Sequence, residues 1–258
     1  MPKVRFKRDG SVGIIVVDDP PLNLVGPVMI AELEQAIEAA HAAPIRALLL
    51  RSDAPNFSAG ANVGEMFQNR SAAQATELLG RVAKMLARCE SLPFPTLAAA
   101  NGMCLAGGLE MALACDMIWA ADDTKFGLVE GVIGAIPFGG GTARLAERAG
   151  PARAREIVMG MGMYDAVTFE RWNIVNRVVA SDQLADKALR FAHRLASGPT
   201  LAHAVSKRIV RQYLDRGVYE ADRLTIAIAP ALFETEDMRQ GIVSLLECGP
   251  GNAKFSGR

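Results

Sequence analysis

Apolar residues run through the first two thirds of this 258-residue chain in short continuous blocks alternating with helical spacings, and through the last third in helical spacing alone. Val12–Val17 is β-branched and wholly apolar, the pattern of a buried strand, and Asp18-Asp19-Pro20-Pro21 stops it. A strand is also expected almost at once after the N-terminus. Pro27–Ala42 carries Met29, Ile30, Leu33, Ile37 and Ala40 at helical spacing, with Glu32, Glu34 and Glu38 elsewhere, and Pro44 ends it. Residues 46–52 predict a second buried strand. Asn62 reads as the cap of a short helix. Residues 68–88 predict one long amphipathic helix, with Leu78, Leu79, Val82, Met85 and Leu86 on one face. Pro93-Phe94-Pro95 breaks it before a strand at Thr96–Ala100. Residues 117–120 predict a strand, 122–123 a turn, 125–129 a short extended piece and 131–137 irregular chain. Helices are expected at 142–149, 151–159 and 164–172, and a last strand at 175–179. Beyond that only helices are expected, at 183–196, 200–216, 219–229 and 237–247. Strand–turn–helix units followed by a run of helices predict an α/β body over residues 1–181 and a helical C-terminal region over 182–258.

Composition narrows the function classes. Half of the residues are hydrophobic, enough for a sizeable core. Lysine plus arginine equals aspartate plus glutamate at 28 each, so no electrostatic footprint for nucleic acid or an anionic membrane exists. Aromatic residues are only 6%, too few to suggest base-stacking platforms. Cys89, Cys104, Cys115 and Cys248 show no metal-like pairing, and His41, His193 and His203 are far apart in sequence, so a reduced, cytoplasmic protein without a metal site is expected. The N-terminus has no export signal pattern. The apolar stretch from Gly102 to Ala121 is broken by Glu110 and Asp116 and reads as core rather than a membrane span.

The chemistry concentrates in residues 101–110. Asn101-Gly102 is a tight-turn signal, and Gly107-Gly108 opens a helix whose bare N–H groups face its start. Glu110 stands in the first turn, the one charge between Gly102 and Cys115. Twenty residues on, Glu130 is likewise the one charge between Phe126 and Ala143. Desolvation and a nearby second carboxylate both raise a carboxyl pKa, so such a pair could exchange protons near neutrality. The plain alternative is that each glutamate pairs with an arginine or caps a turn. Phe57-Ser58-Ala59-Gly60-Ala61-Asn62 is small enough to let a ligand approach the backbone.

Three segments taken together carry a resemblance: Phe57-Ser58-Ala59-Gly60-Ala61; Ala100-Asn101-Gly102 with Ala106-Gly107-Gly108-Leu109-Glu110 and Cys115-Asp116; and Phe126-Gly127, Glu130, Gly134, Pro137, Gly140-Gly141-Thr142 and Arg144-Leu145. Trp172 to Val179 and the C-terminal Glu236-Asp237, Gly241, Lys254-Phe255 and Gly257-Arg258 add to it. In order and spacing the chain resembles the enoyl-CoA hydratase/isomerase (crotonase) family over essentially its whole length. The resemblance implies a spiral of β-β-α turns, with C-terminal helices that drive assembly into a homotrimer or a homohexamer. It implies an acyl-CoA thioester substrate whose carbonyl lies between the N–H groups of Ala61 and Gly107. Ala59, Gly60, Asn62, Val63, Gly108 and Gly134 would border the substrate and Lys254 the phosphates of coenzyme A. Glu110 would activate water and Glu130 exchange a proton with the α-carbon. Keeping both acids favours hydration of a 2-trans-enoyl-CoA, as in fatty-acid β-oxidation, over Δ3-Δ2 isomerisation or another crotonase-type acyl-CoA reaction, and zero net charge disfavours an RNA-binding scaffold. No cofactor is implied, because coenzyme A belongs to the substrate. Asn62 stands where aspartate is common, Phe138 where a small residue follows the proline, and Met103-Cys104 where an aromatic-alanine pair is usual.

Overall fold

In the computed structural model, which describes residues 2–258, the apolar blocks become a six-stranded sheet. β1 (Val4–Asp9) and β2 (Val12–Val17) form an antiparallel hairpin. β2 then continues in parallel with β3 (Ala47–Ser52), β4 (Thr96–Ala100), β6 (Met117–Ala121) and β9 (Arg177–Val179), in the order β1-β2-β3-β4-β6-β9. Side chains alternate between the faces of a strand. Ile15, Val17, Leu48, Leu50, Ala98, Ala100, Ile118 and Ala120 therefore enter one core with α1 (Pro27–Ala42). Val16, Leu49, Leu97, Ala99, Trp119 and Ala121 enter another. That second core is closed by Leu184, Ala188, Ala192 and Ala196, one per turn of α8 (Leu184–Ala196). Burial on both faces explains why these strands read as unbroken apolar runs.

A second, three-stranded sheet carries the site. It joins β5 (Met103–Leu105), β7 (Lys125–Gly127) and β8 (Tyr164–Asp165). β5 was not predicted, because three residues hold no periodicity; it exists through partners distant in sequence. The short helix expected after Asn62 and the long one expected over 68–88 both form, the second starting four residues later and ending two later than expected. α2 (Val63–Phe67) starts at its Asn62 cap, and α3 (Ala72–Glu90) starts at a capping box in which Ser71 and Gln74 each accept the other's backbone N–H. The expected helix at 164–172 is trimmed to α7 (Ala166–Arg171), because Asp165 caps it through the Thr168 N–H at 2.7 Å. Likewise the strand expected at 175–179 shortens to β9 (Arg177–Val179), with Val175 a core residue ahead of it.

Between these lie α4 (Gly107–Leu113), α5 (Gly141–Ala149) and α6 (Pro151–Gly160). From residue 184 onward the regular structure is helical: α8, α9 (Thr200–Ile228, bent at Gly217) and α10 (Glu236–Cys248). Among the described residues no helix is long and apolar enough to cross a membrane.

Candidate active site

Two loops meet where β5 begins α4. Ser58 forms a parallel bridge with Cys104: its N–H donates to the Met103 carbonyl, and its carbonyl accepts the Leu105 N–H, both at 2.9 Å. Three residues later Ala61 bridges Val25, through the Gly60 carbonyl and the Asn62 N–H. Those bonds use the groups on either side of Ala61, so its own N–H is turned to the opposite side. Gly107, first residue of α4, has no intrahelical acceptor for its N–H. Among the described residues neither N–H donates to a protein group. A Cβ built on Gly107 would lie 3.9 Å from the Ala61 nitrogen, so the two donors are neighbours.

Small residues make that approach possible. A Cβ on Gly60 would meet the Ala106 Cβ at 2.7 Å, and one on Gly108 would meet the Ser58 Cβ and carbonyl oxygen at 2.6 Å. Ala106 itself has φ 48° and ψ −125°, a conformation costly for a residue with a side chain. It is held there by its N–H bond to the Gly127 carbonyl at 2.8 Å. Backbone strain thus sits one residue before an open donor.

Glu110 follows on α4 and is only 5% exposed. Its Oε1 accepts the Gly141 N–H at 2.8 Å. Burial raises its carboxyl pKa, opposed by the N–H groups of Gly141 and Gly139 and by the charge of Arg144. Glu130 opens a short 3-10 helix, Glu130–Ile133. Its Oε2 is buried and has no hydrogen-bond partner. Burial pushes its carboxyl up to about 7; its own backbone N–H opposes this and the negative charge of Glu110 adds to it. The unequal environments leave Glu130 the better proton holder at neutrality and Glu110 the better acceptor.

The remaining expected site residues divide. Ala59 and Gly60 lie within the bridged loop, and Gly108 is buried against Ser58. Asn62 is occupied as a cap, accepting the Glu65 N–H at 3.3 Å and donating to the Glu65 carboxylate at 2.8 Å. Val63 is exposed, and Gly134 ends the 3-10 helix with φ 72°. Lys254 is an exposed residue of the C-terminal tail, and among the described residues no hydrogen bond or ion pair joins it to the others. Phe138 packs on Phe67, the last residue of α2, with ring centroids 5.7 Å apart. Cys104 is fully buried and its thiol pKa is pushed up by burial, as for a small hydrophobe.

Sequence reasoning missed the strained Ala106, the Gly139 and Gly141 amides, and Arg144. Only Arg144 left a signal: it is the first charged side chain after Glu130.

Two unengaged amides beside one buried and one half-buried carboxylic acid can hold a developing oxyanion and move protons on atoms next to it. The fold is shared with proteins named as enoyl-CoA hydratases. The family described as enoyl-CoA hydratase/isomerase matches residues 7–256. A probable enoyl-CoA hydratase of Rhizobium meliloti is 34% identical over 246 residues, covering 93% of each chain. A crotonyl-CoA hydratase of Syntrophomonas wolfei is 29% identical over 245 residues, covering 94% of each. The solved structure of an enoyl-CoA hydratase subunit I from Geobacillus kaustophilus superposes with a TM-score of 0.92 at 34% identity, covering 99% of this chain and 98% of that one. The chain belongs to the enoyl-CoA hydratase/isomerase family and has its crotonase fold.

Proposed function

We propose that the protein hydrates the double bond of a 2-trans-enoyl-CoA to give the 3-hydroxyacyl-CoA. The observation that carries this reading is the acid pair: Glu110, buried and accepting the Gly141 N–H, and half-buried Glu130, whose carboxyl is pushed up to about 7 by burial, with the charge of Glu110 adding to it. The thioester oxygen accepts from the Ala61 and Gly107 N–H groups, which draws electron density from C3. Glu110 takes a proton from water as its oxygen bonds to C3, and the negative charge collects on the thioester oxygen. Glu130 then delivers its proton to C2. The product leaves Glu110 protonated and Glu130 ionised, and exchange with solvent restores the starting state. Coenzyme A enters as the substrate's carrier, so this reading requires no cofactor.

The flanking assignments follow the same reading. Ala59, Gly60, Val63, Gly108 and Gly134 border the acyl-CoA, Asn62 acts on it only by capping α2, and Lys254 meets the coenzyme A phosphates. A second copy of the chain covers exposed apolar side chains of the C-terminal helices, among them Tyr219, Ile226, Phe233 and Leu246, giving a homotrimer or homohexamer. A cytoplasmic setting agrees with four free cysteines.

Glu110→Gln and Glu130→Gln are expected each to lower crotonyl-CoA hydration by about 10²–10⁴-fold while melting as folded proteins. Full activity in either variant sinks the assignment. Isomerisation of a 3-enoyl-CoA is the reading that geometry would also serve if Glu110 only held the Gly141 N–H. It predicts a Glu110→Gln protein that loses nothing on the 3-enoyl substrate, so assaying both substrates separates the two.

A further inference from the structure

Arg144 is the cation whose charge reaches Glu110, yet its hydrogen bonds go to the surroundings of Glu110 rather than to the carboxylate itself. From α5 its Nε and Nη2 donate to the two carboxylate oxygens of Glu90, at 2.7 and 2.9 Å. Its Nη1 donates to the Gly139 carbonyl at 2.7 Å. Glu90 is the last residue of α3, and this ion pair is well covered, with side chains 16% and 25% exposed. The fork therefore joins the end of α3 to the turn Gly139-Gly140-Gly141.

That turn holds Glu110. Gly141 donates to its Oε1, and the Gly139 N–H also favours its charge. None of the three residues has a side chain to anchor it, and all three are crowded: a Cβ at 140, where φ is +86°, would press on Arg144 Nη1. A Cβ at 139 would lie 2.7 Å from Glu110 Oε2, and one at 141 would lie 3.0 Å from Glu110 Cγ. A run of three glycines has wide backbone freedom, so a fixed turn needs an external restraint. The carbonyl of Gly139, gripped by Arg144, supplies one.

We propose that Arg144 is a positioning residue: clamped by Glu90, it fixes the Gly139-Gly140-Gly141 turn and through it the place and direction of the Glu110 carboxylate. The inference rests on the reading of Glu110 as the group that activates water, but the restraint itself can be measured without any reaction. The charged groups near Glu110 are Arg144 from α5 and Glu130 from the 3-10 helix, with Glu90 and Glu147 acting on Arg144 from behind. Burial raises the Glu110 pKa and Arg144 lowers it, so removing the guanidinium moves the titration upward.

The test uses the full chain in five forms: wild type, Arg144→Met, Arg144→Lys, Glu90→Gln, and Glu110→Gln to assign the Glu110 signal. The Glu110 carboxyl carbon is titrated by NMR in protein carrying ¹³C-labelled glutamate, and kcat and KM are measured on crotonyl-CoA. Arg144→Met is expected to raise the Glu110 midpoint and to lower kcat by up to about 100-fold, the scale of a misplaced reacting group, with KM unchanged. Arg144→Lys, which keeps the charge but not the fork, should recover part of kcat. Glu90→Gln should lower kcat with a smaller movement of the midpoint. A folded Arg144→Met protein with unchanged midpoint and kcat overturns the proposal. If that variant does not fold, unchanged midpoint and kcat in both Arg144→Lys and Glu90→Gln overturn it. A wild-type protein that does not hydrate crotonyl-CoA defeats the functional reading instead, and the NMR comparison still decides the role of Arg144.

Discussion

Glu130 reaches about 7 because burial raises its half-buried carboxyl and the charge of Glu110 adds to it. Hydration needs one proton on the pair, resting on Glu130. Dehydration needs the same total, with the proton on Glu110, so both directions share one protonation requirement. The expected outcome is that kcat/KM falls above about pH 7 in both directions, with a common alkaline limb that reports the pair. A rate that stays level to high pH in folded protein would count against it. The same burial affects stability. A carboxyl whose folded pKa lies above its unfolded value destabilises the fold as pH rises through the interval between them. Glu130→Gln should therefore gain melting temperature relative to the parent at pH 8 and little at pH 4.5, as calorimetry at both pH values would show.

At the scale of elements, the site depends on how closely α4 lies against the loop of Ser58. Gly108→Ala would put a Cβ 2.6 Å from the Ser58 Cβ and carbonyl oxygen, both buried, with no flexible side-chain end to give way. Overpacking of this kind costs about 1–3 kcal/mol. The expected result is a lowered melting temperature and a loss of hydration, because α4 carries both the Gly107 N–H and Glu110; a neutral variant would show that the contact yields freely. How far such features could be read beforehand depends on the range of the forces involved. Val12–Val17, Pro27–Ala42 and Thr96–Ala100 were legible to the residue, since apolar period and proline punctuation are local. The separation of α2 from α3 was legible at the Asn62 cap, whereas the start of α3 was also written locally, in Ser71 and Gln74, and the amphipathic pattern ran past it to 68. β5 was hidden because Ser58 and β7 complete it. The two glutamates stood out by isolation. The strain at Ala106 and the Arg144–Glu90 fork depend on neighbours about 20 and 54 residues away, and no local pattern encodes them.

For the molecule as a whole, the surface of the C-terminal helices is the feature that composition does not explain. Tyr219 is 74% exposed, Ile226 77% and Leu246 81%. A patch of this kind on a folded chain favours association with a second copy. Sedimentation should show an oligomer for the parent, and Ile226→Asp combined with Leu246→Asp should shift it toward monomer; a parent that sediments as a monomer would refute this. The two open amides of Ala61 and Gly107 bear on how this scaffold can diversify. A backbone N–H is supplied by every residue except proline, so every exchange at Ala61 or Gly107 other than to proline keeps the donor, whereas almost any exchange at Glu110 or Glu130 removes the carboxylate. The half of the site made from main chain is therefore buffered against mutation, and the half made from Glu110 and Glu130 is open to it. A lineage built on this fold can lose or relocate its acids while inheriting the same pair of main-chain donors.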